Sequence, residues 1–186
     1  MPTTAKTSLV KQPVKRTFEQ PGVVMRTHRI WQDAISLLKD DHARVKAMFE
    51  KYEQCKERYS PGQKRELVTR ICGELTVHAQ IEEEIFYPAV RIAAEDCDDL
   101  EHLLNEAAVE HGCIRQMIAQ LEGATPDAPL YDASVTVLGE YVKHHASEEE
   151  RDIFPKMKRA KRLDLDEIGE ELAARSKLLK AELDLN

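Results

Sequence analysis

One short pattern occurs twice in this chain of 186 residues, and it constrains the fold more than any other feature. The copies share a histidine, glutamates four and five residues later, and a proline ten residues after the histidine: His78, Glu82, Glu83 and Pro88, then His145, Glu149, Glu150 and Pro155. Residues i and i+4 lie on one face of an α-helix, about 6 Å apart along its axis. Each copy therefore predicts a helix that presents an imidazole beside a carboxylate. Two such pairs offer a nitrogen ligand to each of two metal ions, and carboxylates that can bridge them.

The composition favours a helical protein. Charged residues make up 33% of the chain and aromatic residues 5%, and only 7 residues are glycine. The net charge of −7 argues against nucleic acid as the main partner. The chain has no apolar run that approaches a membrane span, and its first thirty residues lack a signal-peptide core. We therefore expect a cytoplasmic protein without a membrane partner.

Apolar residues recur at helical spacing along four long segments, at about 30–58, 63–94, 95–122 and 130–161. Pro88 should kink or interrupt the second segment. Short connections between long amphipathic helices predict an all-α fold, an up-down-up-down antiparallel four-helix bundle. We take residues 30–161 as this bundle domain.

The two ends of the chain lie outside the predicted bundle. Residues 1–29 carry six Lys or Arg against Glu19, so they form a basic N-terminal arm. The arm is either a flexible or surface-docked segment, or a site for an acidic protein partner, such as another subunit. Residues 162–186 contain a short extra helix, at about 165–183, which we expect to pack on or near the bundle. The oligomeric state stays open.

A histidine lies near the middle of each long helix. His42, His78, His111 and His145 are 36, 33 and 34 residues apart, which is close to one pass along the bundle each time. In an antiparallel bundle these residues come to a common depth, together with Glu82 and Glu149. Burying such groups without a compensating charge costs several kcal/mol per ion. The sequence thus predicts six metal ligands: His42, His78, Glu82, His111, His145 and Glu149.

Other polar and aromatic residues have weaker claims to the site. His102 should face outward, and His144 is about 100° of helix away from His145, so neither is expected to bind metal directly. Glu83 and Glu150 turn off the ligand face and are expected to be solvated or to form salt bridges. Tyr141 should stand over the site. Three further aromatic residues are expected to be plain core: Phe49, Tyr52 and Phe86.

These motifs resemble those of the hemerythrin-like family, the His-His-Glu cation-binding domains. The resemblance spans about residues 30–160 and includes Asp41-His42, Glu110-His111 and both copies of the repeated pattern. It implies two non-haem iron ions, with or without an oxo or hydroxo bridge, in a four-helix bundle. Glu82 and Glu149 would bridge the ions, and the four histidines would be terminal ligands. The ligand set also suits other divalent metals, so the metal stays open.

The chain departs from the oxygen carriers of that family. The carriers have an extra histidine one turn from the ligand on the third helix, where this chain has Ala107 and Arg115. They also have His-x4-Asp on the fourth helix, where this chain has His-x3-Glu. The resemblance then implies a protein that binds or consumes oxygen, peroxide or nitric oxide, in stress response or sensing. Iron storage or donation, a metal-dependent interaction module and reversible oxygen binding are the alternatives, and no catalytic residue is assigned.

Overall fold

The computed structural model describes residues 32–93, 98–158 and 163–185. The basic arm predicted at 1–29 therefore lies outside the described residues. The described secondary structure is helical, with these α-helices: α1 Ala34–Cys55, α2 Pro61–Ile81, α3 Tyr87–Ala93, α4 Asp98–Gly123, α5 Tyr131–Glu148, α6 Phe154–Met157 and α7 Leu165–Glu182. Single π-helical turns join α2 to α3 and α5 to α6; they are π1, Glu82–Phe86, and π2, Glu149–Ile153.

Side-chain caps fix where three of the helices begin. Asp33 accepts hydrogen bonds from the backbone of α1, so this helix begins a few residues after the predicted start. Ser60 forms a capping box with Gln63 at the start of α2, and Pro61 occupies the first turn of that helix. Asp164 accepts a hydrogen bond from the backbone N–H of Glu167 in α7.

The interruption expected at Pro88 takes the form of a π turn, and the second copy of the pattern contains the same turn. The N–H of Tyr87 bonds to the carbonyl of Glu82, and the N–H of Phe154 bonds to the carbonyl of Glu149. A proline has no N–H and its ring clashes with the carbonyl four residues earlier in an α-helix. A π turn before each proline widens the helix where that clash would occur, and such turns are frequent at functional sites.

The long helices pack around a common core. α1 packs against α2 and α5, α4 packs against α5 and α2, and α7 lies against α1 and α2. Two apolar clusters flank the level of the mid-helix histidines: on α1, Leu38 belongs to one cluster and Val45 to the other. None of the described helices has both the length and the apolar character needed to cross a membrane.

One expectation about an inward-facing residue was wrong. Tyr141 is 46% exposed and does not stand over the histidines. It precedes His145 by four residues, but it lies one position before the buried Val142, so the α5 stripe turns away from it.

Candidate metal centre

The structure brings all six predicted ligand residues into one buried layer. The helices form two pairs: α1 and α2 belong to the first half of the molecule, and α4 and α5 belong to the second. Each of these four helices contributes one histidine, and π1 and π2 each begin with one of the glutamates. The Nε2 atoms of His42 and His78 are 3.1 Å apart, and those of His111 and His145 are 3.0 Å apart. The layer contains four histidines and two glutamates, all buried: His42, His78, His111, His145, Glu82 and Glu149.

Each buried glutamate lies between the two halves of the molecule. Oε2 of Glu82 is 3.3 Å from Nε2 of His78 and 3.4 Å from Nε2 of His111. Oε2 of Glu149 is 3.2 Å from Nε2 of His42 and 3.6 Å from Nε2 of His145. The donor atoms group into two sets, each spanning no more than 4.8 Å: His42, His78, Glu82 and Glu149, then Glu82, His111 and His145.

The outer nitrogen of every histidine in the layer faces a carboxylate. Nδ1 of His42 lies 3.1 Å from Glu150, and Nδ1 of His111 lies 2.9 Å from Glu83. Nδ1 of His145 is 2.8 Å from Glu110, whereas Nδ1 of His78 is 3.7 Å from Asp41. A carboxylate that accepts the Nδ1 proton leaves the Nε2 lone pair free, and metal-binding histidines are held in this way.

Three buried polar atoms of the layer lack a well-formed hydrogen bond. They are Nδ1 of His78, Oε1 of Glu82 and Oε2 of Glu149, although the last is close to His42. Facing Nε2 lone pairs repel each other unless a proton or a cation lies between them. Burying a carboxylate without a partner for its charge is unfavourable for the free energy of folding. The residues therefore fit a metal, and a set rich in imidazole suits iron, zinc, copper or nickel.

The two buried carboxyls differ in their affinity for a proton. Burial, and next the carboxylate of Glu149, raises the pKa of Glu82 well above its usual value. Burial has the same tendency at Glu149, but the imidazoles of His145 and His42 lower the pKa of that carboxyl to about 2. Burial also lowers the pKa of His78 well below its ordinary value. Without a cation, burial thus favours the neutral forms of Glu82 and His78.

Aromatic rings close the layer on the side of the π turns. Tyr87 stacks on His111 with ring centres 5.7 Å apart, and Phe154 stacks on His42 at 5.9 Å. The Tyr87 hydroxyl donates a hydrogen bond of 2.8 Å to Oε1 of Glu149. The sequence analysis missed Tyr87. The repeat could have indicated it, because Tyr87 and Phe154 are the aromatic residues that precede Pro88 and Pro155.

Glu83 and Glu150 form salt bridges, as expected, and they also hold the histidine rings. Glu83 accepts a hydrogen bond of 2.6 Å from Arg115, and Glu150 lies 3.3 Å from Lys39. Their position beside the Nδ1 atoms of His111 and His42 was not predicted. The same role of Asp41 and Glu110 was not predicted either, although the repeat places an acidic residue before the histidine in both halves: Asp41-His42 and Glu110-His111.

Two further histidines of the described residues lie outside the buried layer. His102 is exposed and lies 3.3 Å from Glu106. His144 is also exposed, and its Nε2 atom lies 3.7 Å from Glu110 and 3.5 Å from Glu148. Of the two residues that flank His111, Ala107 is buried among apolar side chains, and Arg115 points to Glu83.

A small cavity adjoins the histidines on the side away from the π turns. Its volume is about 20 Å³, and apolar residues line it beside the imidazoles: Val45, Leu75, Ala79, Ile114, Val142 and Ala146. A larger groove of about 890 Å³ runs along α1 and α5. The groove and the cavity share His42, Val142 and Ala146 as lining residues.

The fold and the buried layer define a helical protein whose histidines and glutamates are positioned to bind metal. Residues 33–157 match the Hemerythrin HHE cation binding domain. The chain belongs to this family, which confirms the resemblance drawn from its motifs.

Known relatives agree with this assignment. The chain is similar to a hemerythrin HHE cation binding domain-containing protein from Mycobacterium kansasii, whose crystal structure superposes with a TM-score of 0.67 at 26% identity. That match covers 81% of this chain and 89% of the other. An uncharacterized protein of Mycobacterium tuberculosis is 26% identical over 150 residues, which are 80% of this chain and 88% of that protein.

A third relative is much longer than the region it shares with this chain. A DNA nickase of Nostoc sp. is 29% identical over 123 residues, which are 66% of this chain. The chain therefore spans about a third of the nickase, or 32% of its length.

Proposed function

We propose that this protein holds two non-haem iron ions at its buried layer and uses them to bind or consume a small oxidant. One observation carries the proposal: Glu82 and Glu149 each lie within 3.6 Å of one histidine from each half of the molecule. A carboxylate so placed can join two ions, one held by His42 and His78 and the other by His111 and His145. Glu82 and Glu149 would then be the bridging ligands.

The other residues of the site hold the ligands in position. The carboxylates on the Nδ1 atoms keep the imidazole rings turned inward and make them more basic. The Tyr87 hydroxyl fixes Glu149 through its outer oxygen and leaves the inner oxygen free. When bound, two iron ions supply the electrons that reduce an oxidant. The apolar lining beside the imidazoles keeps this region dry and admits only a small molecule.

Reactivity, and not reversible oxygen carriage, is the function we favour for these ions. Ala107 offers no ligand atom, and Arg115 is engaged with Glu83, so neither flanking residue closes off the ion near His111. Ions held by the four histidines would then remain accessible to small ligands. The candidate substrates are oxygen, hydrogen peroxide and nitric oxide, and the implied activity is peroxide or nitric oxide consumption under stress.

The arrangement of the chain forms part of the same proposal. α1, α2 with α3, α4, and α5 with α6 would form an up-down-up-down bundle over residues 30–161. The pairing of α1 with α2 and α5, and of α4 with α5 and α2, supports this order. Residues 1–29 would remain a separate basic arm.

The test follows the optical spectrum of the iron(II)-loaded protein through cycles of air and argon. We expect rapid oxidation in air without recovery under argon, and then consumption of added hydrogen peroxide at more than one equivalent per site. His78→Ala should abolish both responses, while His102→Ala should leave them unchanged. Full recovery of the iron(II) spectrum over several cycles would contradict this function and favour reversible oxygen binding. Peroxide loss limited to one equivalent would favour storage or a binding module.

A further inference from the structure

A second group of metal-binding side chains lies on the outer surface, beside the buried layer. It consists of Glu110 from α4 and of His144 and Glu148 from α5, and one donor atom of each lies within 4.8 Å of the others. His144 and Glu148 are four residues apart, so they project from the same face of α5. Glu110 completes a tripod across the interface between the two helices.

We propose that these three residues form an outer site for a divalent cation such as Zn²⁺, Co²⁺ or Fe²⁺. Nε2 of His144 lies 3.7 Å from Oε1 of Glu110 and 3.5 Å from Oε1 of Glu148. A tetrahedral ion with bonds of about 2.0 to 2.2 Å keeps its ligand atoms roughly 3.3 to 3.6 Å apart. The two distances from His144 are therefore close to those in such a site, and water would complete the coordination. One imidazole and two carboxylates suit borderline transition metals better than Ca²⁺ or Mg²⁺.

The charges of the cluster also favour a cation. Glu110 and Glu148 bring two carboxylates to one imidazole, and Arg151 lies 3.6 Å from Glu148 with a well-exposed side chain. Glu110 is held in place from behind, because its other oxygen lies 2.8 Å from Nδ1 of His145. One carboxylate would thus connect the outer ion with a histidine of the buried layer.

The repeated pattern shows that this tripod is not part of the frame common to both halves. His145 matches His78, so His144 and Glu148 match Val77 and Ile81. Both of those residues are buried apolar side chains. The polar pair is therefore a feature of the second half alone, on a surface where α7 does not pack.

The chain contains a matched control for the tripod. His102 and Glu106 form another exposed pair four residues apart on α4, with Nε2 and Oε1 at 3.3 Å. No third donor is grouped with them among the described residues. If a His–Glu pair alone sufficed, His102 and Glu106 would bind a cation as well as the tripod does.

The experiment titrates the full-length, iron-loaded protein with Co²⁺ and records the cobalt absorption and the iron content of each sample. We expect one further ion with a tetrahedral cobalt spectrum. His144→Ala and Glu148→Gln should each weaken its binding at least tenfold and leave the iron content unchanged. The double variant His102→Ala with Glu106→Gln should bind the ion like the wild type.

Two results would overturn the outer site. One is the absence of a further Co²⁺ ion, and the other is an ion whose affinity does not change in His144→Ala and Glu148→Gln. The central proposal is judged separately, by the iron content of the same samples. In His78→Ala, which should lose central iron, the outer ion should still bind in a His144-dependent manner. That outcome separates failure of one proposal from failure of the other.

Discussion

The two halves of the molecule use one frame and complete it differently. α1, α2 and π1 form the first half, and α4, α5 and π2 form the second. In both, an acid-His pair on one helix meets a histidine on the next, and a buried glutamate begins a π turn. The halves also exchange groups, since Glu83 of the first holds His111 and Glu150 of the second holds His42.

The differences lie just outside the ligand atoms. Tyr87 of the first half carries a hydroxyl that lies 2.8 Å from Oε1 of Glu149 and 3.5 Å from Oε2 of Glu82, whereas Phe154 at the matching position has no hydroxyl. Glu110 holds His145 at 2.8 Å, whereas Asp41 is 3.7 Å from His78 and is also paired with Arg44. The first half is covered by α7, where Lys180 lies 2.8 Å from the buried Glu74.

The two halves therefore agree in their predicted metal ligands and differ in the residues that hold those ligands in place. Each half contributes two histidines and one glutamate, at matching positions. The residues that hold these groups differ, so the two proposed ions should not be bound equally. Removing a ligand should therefore have a larger effect than changing a residue that supports one.

The largest effect should come from removing a histidine of the frame. His78→Ala and His145→Ala each delete a nitrogen ligand, so each should lower the iron content below two ions per chain and abolish the charge-transfer absorption. Metal analysis and the optical spectrum measure this, with His102→Ala as the control. Equal iron loss in the control would mean that the helical phase is misassigned.

The glutamates should divide into two classes. Glu82→Gln and Glu149→Gln remove the charge that joins the halves, so each should lose iron. Glu83→Gln and Glu150→Gln keep all six ligands and weaken only the support of His111 or His42. We expect them to retain both ions at saturation, with affinity lowered by about 10- to 100-fold. A competition titration with a chelator distinguishes the two classes. Equal loss of iron in all four variants would show that the glutamates do not fall into two classes.

Tyr87→Phe should make the first half resemble the second. It removes the hydroxyl that donates to Glu149, a buried carboxyl whose pKa is lowered to about 2 by His145 and His42 against the effect of burial. Losing a hydrogen bond to a charged group should reduce the free energy of unfolding of the metal-free protein by about 1.5 to 3 kcal/mol. Urea denaturation measures the change. An unchanged midpoint would show that the hydroxyl does not support Glu149.

The packing of α7 against α1 in the first half should depend on Gly169. A Cβ there would overlap the backbone of Gln32 and Ala34, so Gly169→Ala should displace α7 from α1. Such overpacking costs about 1 to 3 kcal/mol.

The matched control lies in the second half. Gly112 in α4 has open space where a Cβ would be, and its counterpart in α1 is Ala43. Gly112→Ala should therefore stabilise the protein by about 0.5 to 1 kcal/mol. Thermal unfolding of both variants measures the contrast, and shifts of the same sign would contradict it.

The sequence predicted the layer because its information lies in spacing. Four mid-helix histidines and two His-x3-Glu pairs follow from helical periodicity and from the repeat, so their meeting could be anticipated. The carboxylates on the Nδ1 atoms could be anticipated only in part, because Glu83 and Glu150 act across the halves and not on their own helix. Tyr87 was missed because the π turn before it changes the helical phase by one residue, so regular α-helical spacing does not place it against Glu149.

The prediction that Tyr141 stands over the site was wrong for a related reason. A spacing of four from His145 fits an ideal stripe, but Leu138, Val142 and His145 already fill the buried face of α5. The cover by α7 was anticipated only as a helix on or near the bundle. Its choice of α1 and α2 depends on contacts distant in the sequence, such as Gly169 against Gln32 and Lys180 against Glu74.

The most direct test of the central claim is anomalous diffraction at the iron absorption edge, from crystals of the full-length, iron-loaded protein. The account predicts two peaks in the buried layer. One should lie next to Nε2 of His42 and His78, the other next to Nε2 of His111 and His145, with Glu82 and Glu149 contacting both. A single peak, or a pair bridged by Glu83 or Glu150, would contradict it.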